Sequence, residues 1–262
     1  MQFNYYRRGQ GKPLLLIHGL GSSWRSWTPV LADLTAQRDV IALDLPGFGH
    51  TAPLVGKRSV ATLADAVTDF LRVHGLLGID AVGSSMGARL VLELARRGVV
   101  GAVVSLDPGG FQRGWEKPFY YRTGQFSLAM IRLFQPLMPT LTANPIGRSV
   151  VYAQYSTHPW TLDARLSLIE MQTYAAAPSA HDLMHDLIMQ EGDVRLGTPK
   201  GSLTKRVVIG WGRHDRVCLP RQAHRAQALF PDATLHWFEH SGHYPQWDMP
   251  AETAQLILDV TR

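Results

Sequence analysis

A serine hydroxyl is a poor nucleophile near neutral pH. It becomes a good one only when a base accepts its proton and an acid orients that base. Ser85 is placed for such work. It stands at the centre of Gly83-Ser84-Ser85-Met86-Gly87, between a short apolar run ending at Val82 and a segment in which Leu90, Val91 and Leu94 recur at helical spacing. The pattern Gly-x-Ser-x-Gly between a strand and a helix puts one hydroxyl on a sharp turn, clear of the sheet edge. Glycine two residues to either side removes the Cβ atoms that would collide where strand and helix backbones meet. Ser84 is out of register with these glycines and is set aside as the nucleophile. The helix beginning just past Ser85 leaves free N–H groups, which favour negative charge on a bound oxygen.

The partners of such a serine are sought at other strand ends. His243 lies in Gly242-His243-Tyr244-Pro245, after an expected strand Thr234 to Phe238. His240 is the rival base, but it comes three residues early and lacks the preceding glycine. Asp215 follows a strand from Arg206 to Trp211, within Gly212-Arg213-His214-Asp215. Asp107 follows a strand from Val99 to Leu106 and runs at once into Pro108, Gly109 and Gly110, where bracing the crossover is a sufficient role. His18-Gly19-Leu20-Gly21-Ser22 closes the apolar run Leu14 to Ile17, and its glycines let backbone N–H groups point at a ligand oxygen. Asp44 closes Asp39 to Leu43 and is expected to brace its loop through backbone N–H groups. Parallel sheets bind ligands beyond the carboxyl ends of their strands. His18, Ser85, Asp107, Asp215 and His243 would therefore share one edge.

The elements that must hold these residues alternate along the chain. Buried strands separated by helices of about ten to fifteen residues mark βαβ crossovers, so the expected class is α/β with a mostly parallel central sheet flanked by helices. Thr62 opens one such helix, with Leu63, Val67, Phe70 and Leu71 on its buried face and Gly75 as its stop. From 111 to 199 the alternation ceases. Prolines at 118, 136, 139, 145, 159, 178 and 199 separate apolar helical pieces, of which Thr161 to Ala176 and Ser179 to Gln190 are the clearest. The expected organisation is a core from 1 to 110 and 200 to 262, with a helical cap insertion at 111–199. The cap is rich in methionine (Met130, Met138, Met171, Met184 and Met189), a residue suited to adaptable apolar pockets. His181 and His185 stand one helical turn apart but lack a third ligand, so no metal site is expected.

Composition narrows the remaining classes. The 262 residues are 45% hydrophobic and 18% charged, enough to bury a sizeable core. The net charge is +5, and basic pairs such as Arg7-Arg8, Arg96-Arg97 and Lys205-Arg206 are scattered, so no nucleic-acid partner is expected. No apolar run approaches the ~18 residues of a membrane span. The first eight residues lack the apolar core of a signal peptide, which makes a cytoplasmic location the expectation. The single cysteine, Cys218, excludes an internal disulfide. A small-molecule substrate and no cofactor are expected, and the oligomeric state is left open.

The order Ser85, Asp215, His243, with the His18-Gly19-Leu20-Gly21 turn and Asp44-Leu45-Pro46-Gly47-Phe48-Gly49, resembles the α/β-hydrolase superfamily in its cap-bearing branch. The resemblance spans nearly the whole core; the cap matches only in position and helical character. It implies Ser85 as nucleophile, His243 as general base and then acid, Asp215 as the group holding the imidazole, and the backbone N–H groups of Leu20 and Met86 as the oxyanion hole. Ala88 stands where many relatives carry glycine. Ser84 replaces the histidine, glutamine or asparagine frequent before the nucleophile, so that neighbour's usual contact is expected to be missing. Relatives that open epoxides or displace halide use aspartate at the elbow, so attack on a carbonyl remains. The first expectation is a serine esterase acting on a small-to-medium, fairly apolar carboxylic ester through an acyl-enzyme. C–C bond hydrolysis of ring-fission products, acyl transfer or perhydrolysis, and a hydrolase fold turned ligand-binding protein are the alternatives.

Overall fold

The computed structural model describes residues 1–189 and 197–262. Seven strands form one sheet: β1 (Tyr5–Arg8), β2 (Pro13–Ile17), β3 (Asp39–Leu43), β4 (Asp80–Ser84), β5 (Val103–Leu106), β6 (Val207–Gly212) and β7 (Thr234–Phe238). Their order is β1-β3-β2-β4-β5-β6-β7, with β1 antiparallel to β3 and every other pair parallel. The chain leaves β2 toward β3 on one side and later returns to β4 on the other. The strand order therefore reverses beside β2, and the crevice beyond β2 and β4 is where such sheets accept ligands.

Strands β2 to β6 are buried on both faces, and their side chains alternate between two cores. Leu15, Ile17, Ile41, Leu43, Ala81, Val103, Val207, Ile209 and Trp211 pack into one. Leu14, Leu16, Val40, Ala42, Val82, Val104, Leu106 and Val208 pack into the other. The period of two follows from the pleat, and burial on both faces explains why these strands read as unbroken apolar runs.

Helices cover both faces. Around the sheet these are α1 (Thr28–Thr35), α2 (Val60–Val73), α3 (Met86–Arg96), α9 (Arg221–Leu229), the short α10 (Pro245–Asp248) and α11 (Pro250–Val260). Between β5 and β6 lie α4 (Glu116–Leu133), α5 (Met138–Ala143), α6 (Pro145–Val151), α7 (Ala164–Ala176) and α8 (Ala180–Met189). No strand interrupts this stretch among the described residues. Residues 190–196 of the expected 111–199 segment, including the end placed at Gln190, lie outside the described ones.

Three element starts differ from expectation by two residues or more. The strand expected from Val99 starts only at Val103, because Val99 N–H still bonds Leu94 O at the end of α3 and Gly101 N–H turns to Ile79 O. Helix α2 starts at Val60, not Thr62. Its cap is Ser59, whose hydroxyl accepts from Thr62 N–H while Thr62 Oγ1 accepts from Ser59 N–H. Helix α7 starts at Ala164, where the Asp163 carboxylate accepts from Leu166 N–H. A side chain that takes the orphan N–H groups of a first turn fixes where a helix begins.

Candidate active site

The turn from β4 into α3 holds Ser85 in a conformation rarely taken by a residue with a side chain, φ 55° and ψ −113°. Such strain persists only where surrounding contacts over-determine it. Here they do. A Cβ on Gly83 would come within 2.2 Å of Gly87 O, and one on Gly87 within 2.3 Å of Ile17 O. Ser85 N–H also bonds Leu106 O at 2.9 Å, and Ser85 O accepts from Arg89 and Gly109. The backbone of β2, β4, β5 and α3 thus leaves no space at this corner except for glycine.

His243 reaches the turn from the loop after β7. Its Nε2 lies 2.9 Å from Ser85 Oγ, and its Nδ1 lies 2.8 Å from Asp215 Oδ2. The second Asp215 oxygen accepts from the N–H groups of Val217 (2.7 Å) and Cys218 (2.9 Å). A carboxylate can only accept, so the bond to Asp215 holds the proton on Nδ1. That leaves the Nε2 lone pair for the serine hydroxyl. All three side chains are buried. The sequence-chosen Ser85, Asp215 and His243 are brought together as one hydrogen-bonded row. Met86 opens α3, where the first N–H groups have no partner within the helix. Leu20 lines the same cavity as Ser85.

The rival residues are placed elsewhere. His240 is exposed, and its carbonyl accepts from Thr157 Oγ1. Asp107 is fully buried with φ 48°, and its Oδ1 accepts from Gly212 N–H at 2.8 Å, in the loop leading to Asp215. Burial first, and the neighbouring Asp215 charge second, push the Asp107 carboxyl well above the usual carboxylate range. Asp107 thus braces the acid loop and not only the crossover behind it. Asp44 braces its loop as expected, accepting from Trp24 N–H, His50 N–H and Asn4 Nδ2. His18 ties two loops: its Nε2 accepts from Leu45 N–H, so Nδ1 donates to Gly19 O. Burial lowers its basicity and keeps it neutral. Ser84 is not without a contact, because its Oγ accepts from Gln246 Nε2 at 3.1 Å.

Several supports were not visible in the sequence. Asp248 accepts from Gly242 N–H (2.7 Å), Thr157 N–H (3.1 Å) and Ser156 Oγ, so it pins the loop before His243. Tyr155 O accepts from His243 N–H at 2.8 Å. Gln246 sits only three residues past His243 but makes its bond across 162 positions. Asp215, Cys218 and His243 are the one described group of metal-type side chains whose ligand atoms lie within 4.8 Å of one another. Two of the three are already bonded to each other, and burial pushes the Cys218 thiol up, away from the thiolate a metal needs. His181 and His185 are exposed on α8.

Ser85 and His243 open into a cavity of about 230 Å³. Its walls come from the turn after β2 (Leu20, Gly21, Ser22) and from α4, α7 and α8, which contribute Phe119, Met171, Tyr174, Met184 and Leu187 among others. An oriented imidazole, a hydroxyl on its open nitrogen and a mostly apolar cavity above them can attack an electrophilic carbon and exclude bulk water from the adduct.

The alpha/beta hydrolase family model matches residues 14–256, and the chain belongs to that family. An uncharacterised protein of Mycobacterium tuberculosis is 27% identical over 98% of this chain and 79% of its own length. A Pseudomonas putida enzyme named 2-hydroxy-6-oxononadienedioate/2-hydroxy-6-oxononatrienedioate hydrolase 2 is 27% identical over 99% of this chain and 91% of its own. Among solved structures, a thermophilic esterase from Thermogutta terrifontis superposes with a TM-score of 0.73 at 18% identity, covering 98% of this chain and 92% of that one. No helix among the described residues is long and apolar enough to cross a membrane.

Proposed function

We propose that the protein is a serine esterase that cleaves a small-to-medium, fairly apolar carboxylic ester through an acyl-enzyme. In this reading the Ser85 hydroxyl attacks the ester carbonyl as His243 Nε2 takes its proton. Asp215 holds the Nδ1–H tautomer and stabilises the imidazolium that forms. The N–H groups of Leu20 and Met86 receive the oxyanion, where preformed donors are worth most. His243 then protonates the departing alkoxide, and the same groups pass water through the reverse steps to free the acid. The helical segment from α4 to α8 acts as the cap that selects the acyl chain.

The observation that carries this reading is the row Ser85 Oγ, His243 Nε2, His243 Nδ1 and Asp215 Oδ2, with bonds of 2.9 and 2.8 Å at the wall of an apolar cavity. C–C bond hydrolysis of a ring-fission product is the second reading. It is favoured by the name of the Pseudomonas putida relative and by Arg216, a cation in the cavity wall able to meet a substrate carboxylate. Stopped-flow turnover of p-nitrophenyl esters, beside a ring-fission dienone, separates the two. The ester reading expects a burst of one p-nitrophenol per chain followed by slower turnover. Rapid dienone cleavage with negligible ester turnover would replace it by the second reading, and turnover of neither would leave a binding protein.

A further inference from the structure

One cavity wall carries a group that the proposed reaction does not use. Glu170, on α7, is buried, with 6% of its surface exposed, and it lines the same cavity as Ser85 and His243. Ser22 Oγ donates to its Oε2 at 2.6 Å, across 148 positions of sequence. Its other oxygen, Oε1, is fully buried and has no partner. An orphaned carboxyl oxygen in an apolar wall costs free energy unless something completes its hydrogen bonding. The polar ends of two neighbours in the wall are already committed, Tyr152 OH to Ser167 O and Trp247 Nε1 to Ser26 O.

We infer that Glu170 is a substrate subsite: a neutral carboxyl whose Oε1–H donates to a second oxygen of the substrate, such as a ketone, ether or hydroxyl oxygen, besides the scissile carbonyl. The reference to an ester rests on the serine-esterase reading above. Because the Ser22 hydroxyl donates to Oε2, the acid proton falls to Oε1, on the unpartnered side. The favoured substrates are esters with an oxygen-bearing acyl or alcohol chain, and plain hydrocarbon chains leave Oε1 unsatisfied.

The surroundings keep this carboxyl neutral. Burial raises it to about 8, opposed by the Ser22 bond and assisted by the Asp44 charge, with Arg25 pulling weakly the other way. Tyr152, Tyr174 and Tyr244, which face it or flank it in the cavity, are themselves pushed up by burial and stay neutral over the same range. Below about pH 8 Glu170 is a donor, and above it the ionised carboxylate repels an acceptor oxygen. Gln112 Oε1 is a second unpartnered oxygen in the cavity wall, but an amide does not titrate, so pH distinguishes the two.

The test uses the p-nitrophenyl esters of an unbranched alkanoic acid and of its keto counterpart, in which a ketone replaces one methylene. The readout is the ratio of their kcat/KM values, in which the pH dependence of the shared triad cancels. The wild type should favour the keto ester by about tenfold at pH 7, the worth of one well-placed hydrogen bond, and should lose that preference above about pH 8. Glu170→Gln keeps a donor and cannot ionise, so its preference should persist at alkaline pH. Glu170→Leu should have a ratio near one at every pH, with its unfolding temperature recorded alongside. The same two acyl chains as unreactive amides give a Kd ratio by calorimetry, independent of turnover. A ratio near one for the wild type in both measurements would overturn the subsite, as would a ratio that Glu170→Leu leaves intact. Absent ester turnover with a preserved Kd ratio would overturn the esterase reading and leave the subsite standing.

Discussion

The turns at the strand ends and the helical segment from α4 to α8 build the same cavity in opposite ways. At the strand ends, position is set by backbone. Ser85 sits at positive φ, Gly83 and Gly87 admit no Cβ, and Asp215 and His243 hang on loops pinned by main-chain bonds. In the helical segment, position is set by side chains, through packing and through bonds such as Tyr152 OH to Ser167 O and Gln135 Nε2 to Met171 O. Ile131, Met138, Tyr152, Leu162, Leu166 and Met171 form a small cluster there, joined by Trp247 of α10. The outer surface there stays apolar: Phe126 and Leu133 on α4, and Trp115 just before it, are each more than half exposed. A rigid corner suits bond-making geometry, which tolerates little displacement. The wall from the helical segment is made of long side chains, of which Met171 belongs to the small cluster and Leu187 to the core beside the sheet. The comparison shows two ways of fixing position that meet at the His243 loop, which Tyr155, Ser156 and Thr157 of the helical segment help to hold.

The largest effect should fall on the strand-end loops. Asp215→Asn should lower kcat by ~10⁴-fold with the fold intact, because the imidazole loses its fixed tautomer. Asp107→Asn should cost far less, since that carboxyl bonds Gly212 N–H, not His243. Steady-state kinetics with unfolding temperatures for both variants checks this. A large loss confined to Asp107→Asn would move the acid to the other strand.

A smaller effect should mark the helical segment. Met184 is buried in the cavity wall, whereas Phe126 is 66% exposed and outside it. Met184→Ala should shift acyl-length preference toward longer chains by several-fold, by enlarging the wall. Phe126→Ala should leave the preference unchanged. Rates over a series of p-nitrophenyl alkanoates measure both, and equal responses would mean that α4 to α8 do not divide into lining and outer faces.

How far these roles were legible follows from how each is encoded. The elbow, the strand-end turns and the parallel sheet are written locally, in short apolar runs and glycines a few residues apart. Ser85, Asp215 and His243 could therefore be chosen before any contact was known. The bonds of Glu170 to Ser22 and of Gln246 to Ser84 join positions 148 and 162 apart, and nothing within one turn of helix marks them. Glu170 looks like one more charge on a helix surface. Phe126 is one more aromatic in an apolar helical stretch, and periodicity says that a face is apolar and not which neighbour, if any, covers it. Asp107 shows the middle case: the sequence placed it at the correct edge, while its contact with the acid loop depends on β6 lying beside β5.

The smallest effect concerns stability. A buried carboxyl raised to about 8 contributes stability that is complete below its unfolded pKa, ~4.3, and is lost as pH rises through 8. Glu170→Gln has no such proton to lose. Its unfolding temperature should therefore gain on the wild type by a few degrees between pH 5 and pH 8. A constant difference across that window would mean that Glu170 is ionised in the folded protein.

The central claim is that Ser85 becomes covalently acylated, and a serine-directed fluorophosphonate followed by peptide mapping tests it most directly. The expected result is one label per chain, on Ser85, with ester turnover falling in proportion to labelling and no label on Ser85→Ala. A label on Ser84, or full ester turnover in a protein that takes up no label, would contradict it.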